Sequence, residues 1–342
     1  MGNNKGRDAN LELIRIIAMI FVMCIHTVRK PFELGTVQDG ILSAIIYLCN
    51  GWFYMLSGQL NLNKRFENAI DIKKFYISRF ITIGLPFIFI SMMLTLYEYI
   101  TSTGNFSCIM WLKWCYSAIL DTNVSGHMWF LYPLVGFLLC TPVLAIAFRQ
   151  MTDEELTIVF VIGVAWNVFQ AYLCADVGVG FSFSGWMLSG WALAYFAGYY
   201  IWRVINKQNF SKLFWLGIVG VGVTIFARCR LYGKFYGTFD VSVAYVFYAM
   251  ASYYLMSKCV HVKNEKVGTI ICYIARYSFM MYLVHDFINY NIVDKYLNIN
   301  SDGLYFLVAV ALMFAISFAV AWTIDTLIVF PMTKCLRKLL KV

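Results

Sequence analysis

A succession of apolar runs does most to limit what this chain can fold into. They start near Leu11, Ile41, Tyr76, His127, Leu156, Ser184, Lys212, Val241, Thr269 and Leu304. Each is about 18–27 residues long, enough for a helix to cross about 30 Å of hydrocarbon at 1.5 Å per residue. Inside a bilayer no water satisfies the backbone, so runs of this kind must be helical. The expectation is an all-α, polytopic integral membrane protein with about ten transmembrane helices. It forms a single domain over residues 1–342, multi-pass in the cell membrane. Composition agrees: 61% of residues are hydrophobic and only 13% charged, where soluble domains carry about 25% charged residues. An ordinary soluble domain is excluded.

The charge pattern orients the chain. The net charge of +9 reads as membrane asymmetry, so no nucleic-acid partner is expected. Segments on the side of the termini carry seventeen Lys and Arg against six on the other side. By the positive-inside rule both termini are expected in the cytoplasm. The first run holds Arg15 and His26 and lacks a small-residue cleavage site, so it reads as a retained helix. Within the long loop from Thr101 to Gly126, the stretch Ile109 to Tyr116 is expected to lie along the membrane interface as an amphipathic helix. The ten cysteines form no CxxC pair and read as packing residues. Glycines with small-xxx-small spacing (Gly190, Ala194, Gly198) read as a close helix contact.

Ionisable groups within spans cost about 2.5–3.5 kcal/mol each on insertion scales, which makes them functional candidates. The first span is the richest. Arg15 and His26 are eleven residues apart, about three helical turns, so both leave one face about 16 Å apart. Glu12 lies a turn before Arg15 and joins that stripe. The competing reading is structural: an i,i+3 pair near the interface, a snorkelling arginine and an interfacial histidine.

The spacing of Arg15 and His26, with Ala18 between them, resembles the first-helix signature of the acyltransferase-3 family of membrane acyltransferases. Further stretches resemble that family in its own order: Phe53 to Gly58, Tyr76 to Pro86 with Arg79, His127 to Tyr132 followed by Thr141-Pro142, Tyr277 to His285, and Pro331. The resemblance implies transfer of an acyl group, usually acetyl from acetyl-CoA, to a hydroxyl of an extracytoplasmic carbohydrate or cell-envelope glycan. The partners are then acyl-CoA as donor substrate, the glycan acceptor and the lipid bilayer, with no bound cofactor.

Acyl transfer to an alcohol needs a base, and histidine is the usual one. His26 is the candidate base, and Arg15, through its planar fork, the candidate group for orienting the donor. Arg79 and Glu12 are expected on the donor side. His127 is expected at the outer mouth beside Trp129, with Tyr282 and His285, next to Asp286, lining the same cavity. Ser57 is a candidate nucleophile, although beside Gly58 it reads more readily as packing. His261, in a basic loop, reads as solvated, and no HExxH or other metal spacing is present. Two other classes stay open: a transporter or flippase, and a membrane module of an amino-acid-handling or sensing system on the same scaffold.

Overall fold

The computed structural model describes residues 7–121, 124–169, 188, 190–208, 210–230 and 242–340. Among these residues all the regular structure is helical, with no strand. In order the helices are α1 (Ala9–His26), α2 (Val37–Ile46), α3 (Leu48–Leu62), α4 (Ala69–Arg79), α5 (Leu85–Thr103), α6 (Cys108–Leu120), α7 (Leu131–Gln150) and α8 (Asp153–Val168). They continue as α9 (Trp191–Arg203), α10 (Ser211–Arg230), α11 (Val243–Cys259), α12 (Glu265–Arg276), α13 (Ser278–Ile288), the short α14 (Asp294–Tyr296), α15 (Asp302–Ile324) and α16 (Phe330–Leu340). A 3₁₀ turn, Gly126–Phe130, leads into α7, and π-helical turns join α4 to α5, α13 to α14 and α15 to α16.

Among the described residues six stretches are long and apolar enough to cross a membrane: Ala9–His26, Val37–Leu62, Ala69–Thr103, Gly126–Gln150, Ser211–Cys229 and Asp302–Leu340. Counting the bent pair α12 and α13 as one span makes seven. This corrects the expected ten, and the physical reason differs from run to run. Within the described residues the runs expected at Leu156 and Val241 are helices of 16 and 17 residues, and each borders residues outside the described ones. The run expected from Ser184 begins outside the described residues, and α9 then covers only 13. Its residues from Leu193 to Ile201 are all buried, so α9 is wrapped by protein on every side. A helix that is apolar all round can be buried in lipid or in protein, and sequence alone reads the two alike.

The helix α9 sits against α3 at a close crossing. A Cβ on Gly58 would lie 1.7 Å from the Tyr195 carbonyl oxygen, and one on Gly198 would lie 1.8 Å from that of Met55. Only glycine fits at either position. Of the expected small-residue pattern, Gly198 is the close contact; Gly190 is not, since it precedes α9 with φ +56° and a Cβ there would meet nothing within 4 Å.

Two breaks aim side chains. Between α2 and α3 the Tyr245 hydroxyl donates to the Tyr47 carbonyl (2.7 Å) and accepts from the Gly51 amide (3.1 Å). It inserts where those two backbone groups would otherwise bond each other, which kinks the helix. Between α12 and α13 the axis turns by 57° at Tyr277. There the Ser278 hydroxyl takes the Ala275 carbonyl (2.8 Å), a side chain competing with the helical ladder. The turn points α13 at the end of α1. In the expected interface segment α6 does form, with Ile109, Met110 and Tyr116 exposed.

Candidate active site

Helix α1 carries Arg15 and His26 on one unbroken length, so the two ends of the site are fixed relative to each other. Asp8 caps it, accepting from the Asn10 amide at 2.9 Å. At the far end Lys30 donates to the carbonyls of Cys24, Ile25 and Thr27 at 2.8, 2.6 and 2.7 Å. Three carbonyls left open by the helix end are thereby satisfied by one ammonium, in keeping with the helix dipole. His26 is the last helical residue, held by this cap and by Asn289, whose side-chain amide donates to the His26 carbonyl at 2.7 Å.

At the N-terminal end of α1, Glu12 is buried and pairs with Arg15, and Arg7 approaches Glu12 at 3.9 Å. Glu12 thus spends its charge on arginines and holds the Arg15 fork in place. Arg79 ends α4 with its guanidinium 5.3 Å over the Phe75 ring, and its Nε is buried without a hydrogen-bond partner. Arg15 and Arg79 are near enough to feel each other's charge. The Lys64 ammonium also lies over the Phe75 ring, 5.1 Å from its centroid. Burial, with Arg79 adding repulsion, lowers its ammonium to about 8. Beside it a cavity of about 230 Å³ is lined by Lys64, Arg65, Arg149, Glu67 and Gln150. This end collects cations faster than anions.

At the C-terminal end of α1, three of the chain's four histidines meet. Ring centroids of His26 and His285 are 5.1 Å apart, of His127 and His285 4.7 Å, and of His26 and His127 5.9 Å. Asp286 lies among them, with Oδ1 3.6 Å from His26 Nδ1 and Oδ2 3.3 Å from His127 Nδ1. Ser125 joins both, at 2.9 Å from Asp286 Oδ2 and 2.9 Å from His127 Nδ1. The His26 side chain keeps 27% of its surface exposed, Asp286 13% and His127 1%, so His26 is the member a substrate can reach. His285 is fully buried.

The remaining expected residues fall into place around this cluster. Tyr282 is buried and donates to the His127 carbonyl, so its one proton holds the 3₁₀ turn. His127, expected at an outer mouth, is buried in the turn before α7. Trp129 is 37% exposed, and its ring meets Trp191 at 5.8 Å, forming an aromatic wall beside the cluster. Ser57 is half-buried on α3, and no hydrogen bond joins its hydroxyl to a histidine among the described residues; its carbonyl accepts from Asn61 at 2.8 Å. His261 is exposed, away from the cluster. Ser125, Asn289 and Lys30 were not singled out from the sequence. Lys30 alone had a signal, a basic residue just past a helix end.

The acyltransferase domain family matches residues 8–322, nearly the whole chain. The chain belongs to the acyltransferase-3 family. No curated protein and no solved structure matches it. The match takes in both ends of α1, the Trp129 wall and all three clustered histidines of this acyltransferase-3 domain. With its long apolar helices, the chain is in general terms a multi-pass membrane acyltransferase.

Proposed function

We propose that this acyltransferase-3 protein moves an acyl group, acetyl by preference, from acyl-CoA to a hydroxyl of an extracytoplasmic carbohydrate. The observation that carries this reading is the pairing of a cationic end and a histidine–carboxylate end on one helix. The Lys and Arg asymmetry supports a cytoplasmic N-terminal end of α1. The donor's phosphates then meet Lys64, Arg65, Arg149 and Arg79, Arg15 orients the acyl arm, and the arm runs along α1 toward His26. The acceptor sugar enters from outside and stacks against Trp129.

In the reaction the hydroxyl oxygen attacks the thioester carbonyl and its proton passes to His26. The C–O bond forms, the C–S bond breaks, and the imidazolium returns the proton to the CoA thiolate. Asp286 orients the ring and stabilises the imidazolium through the charge it places 3.6 Å away. That spacing is too long for a hydrogen bond, and such contacts commonly tighten once substrate is bound. The decisive experiment follows labelled acetyl from acetyl-CoA to surface glycan in membranes holding folded protein. Transfer by wild type and not by His26→Gln supports the reading; equal transfer by both overturns it.

One feature favours a second reading. The bend at Tyr277 is a broken apolar helix, which transporters place at their binding sites. Solute counterflow in vesicles, with no acyl transfer, is the outcome that would select transport.

A further inference from the structure

The cluster at the end of α1 holds more hydrogen-bond acceptors than donors, and its tautomers follow from its partners. A carboxylate only accepts, so Ser125 gives its single proton to Asp286 Oδ2 at 2.9 Å. At the 2.9 Å contact with His127, the Ser125 oxygen therefore accepts and His127 carries its proton on Nδ1. His285 Nδ1 lies 2.7 Å from the Tyr282 carbonyl, which also only accepts, so this ring is the Nδ1–H tautomer too. In neutral rings both Nε2 atoms are then lone pairs. Each is buried without a partner, and so are Asp286 Oδ1 and Asn289 Oδ1. An acceptor hydroxyl brings one proton and satisfies one of these atoms. A cation satisfies several at once.

We propose that His26, His285 and Asp286 form a binding site for a divalent transition-metal cation of the zinc type, and that such an ion competes with the acceptor hydroxyl. The competition rests on the acyl-transfer reading; the binding does not. Two imidazoles and a carboxylate suit zinc-like cations, whereas magnesium and calcium want oxygen donors. Ligand atoms of the three residues lie within 4.8 Å of one another. Bonds of about 2.05 Å in a tetrahedral zinc site put ligands about 3.4 Å apart. Closing that gap takes at most about 1.4 Å of movement, and the His26 side chain, at a helix end and 27% exposed, is free to supply it. The outer shell is already in place. The Tyr282 carbonyl fixes the His285 tautomer with Nε2 inward, and Ser125 holds the second Asp286 oxygen, the kind of support that metal ligands receive. Water fills the fourth position. An ion there ties up the His26 ring beside Asp286 and shuts out the sugar hydroxyl.

The full chain in detergent, stripped with chelator, is titrated with Co²⁺ and its visible ligand-field bands are recorded; Zn²⁺ is then added in competition. One ion per chain is expected. His285→Gln and Asp286→Asn should each weaken binding by more than the 10–100-fold that outer-shell changes typically cause, and Ser125→Ala by about that range. The exposed His261→Ala control should bind like wild type. Size-exclusion and thermal unfolding of metal-free protein show whether each variant is folded. If the fully buried His285 tolerates no replacement, His26→Gln carries the test. Absence of stoichiometric binding, binding retained in all ligand variants, or equal loss in His261→Ala overturns the site. With Zn²⁺ present, the apparent KM for acceptor should rise while CoA binding holds. Unchanged or faster transfer overturns the competition. Since binding is read without donor or acceptor, its failure leaves the acyl-transfer reading to be judged by transfer alone.

Discussion

The two ends of α1 are built on opposite shortages. Around Arg15, guanidinium and ammonium groups of Arg7, Arg79 and Lys64 gather with Glu12 as the nearest buried anion, and Arg79 Nε is left buried without a partner. Around His26 the shortage is of donors, with buried acceptors on His127, His285, Asp286 and Asn289 unpartnered. Buried polar groups left unsatisfied typically cost about 1–3 kcal/mol each, and such groups gather where a ligand will meet them. The N-terminal end asks for an anion and the C-terminal end for a proton-bearing group. A phosphorylated donor and an alcohol acceptor answer both demands along one helix. The contrast teaches that a rigid α1 is the ruler between two half-sites with separate chemistries, so substitutions should separate into donor and acceptor effects.

The largest expected effect is at His26. His26→Gln should lower transfer by about 10²–10⁴-fold, the range for loss of a general base, and leave CoA affinity unchanged when measured by calorimetry. A variant that loses CoA affinity along with rate would break the separation of the two ends. Next comes Arg15→Lys. An ammonium keeps the charge and loses the planar fork; hydrogen bonds to charged groups are worth about 1.5–3 kcal/mol, so transfer should fall about 10–100-fold. Steady-state rates in reconstituted vesicles, normalised to folded protein, check this. A snorkelling arginine would accept lysine with little change.

How much of this was legible in the sequence differs between the same two ends. Glu12, Arg15 and His26 share one helix, so their spacing placed them on a face before any tertiary structure was known. The basic residues near the N-terminal end also lie in short segments beside predicted spans. The histidine cluster is different. Residues 26, 125, 127, 285, 286 and 289 come from α1, the 3₁₀ turn and the segment after the bend at Tyr277. No local pattern specifies that 57° bend, because neither proline nor glycine marks it. Among the described residues the count of spans fell short for a related reason: the burial of α9 by protein depends on Gly58 meeting the Tyr195 backbone and Gly198 the Met55 backbone, across two helices far apart in sequence.

Arg79 tests the donor end more gently. Arg79→Ala should weaken CoA binding about tenfold, the loss of about 1.4 kcal/mol expected at the low end for a charged hydrogen bond. Rate at saturating donor should stay near wild type. If instead the rate falls and binding holds, Arg79 belongs with the chemistry rather than the phosphates, and the boundary between the two half-sites moves toward His26.

The smallest effect is a pH dependence carried by Lys64. Burial lowers its ammonium to about 8, against about 10.4 for an unburied lysine. Below about pH 8 it is charged and adds to the field that holds phosphates. As pH rises through that value the charge is lost, and CoA affinity should fall roughly fivefold, the upper end of what a partly screened ion pair contributes. Stability should move the other way. The fold binds fewer protons on Lys64 than the unfolded chain does between about pH 8 and 10.4, so unfolding free energy rises with pH across that window. Titrating CoA and melting the CoA-free protein at the same pH values, for wild type and for Lys64→Met, isolates the lysine. The variant should lose both slopes. A wild-type affinity that holds flat through pH 8, with the stability slope intact, would leave Lys64 buried beside Arg79 for packing alone and shift the phosphates toward Arg65 and Arg149.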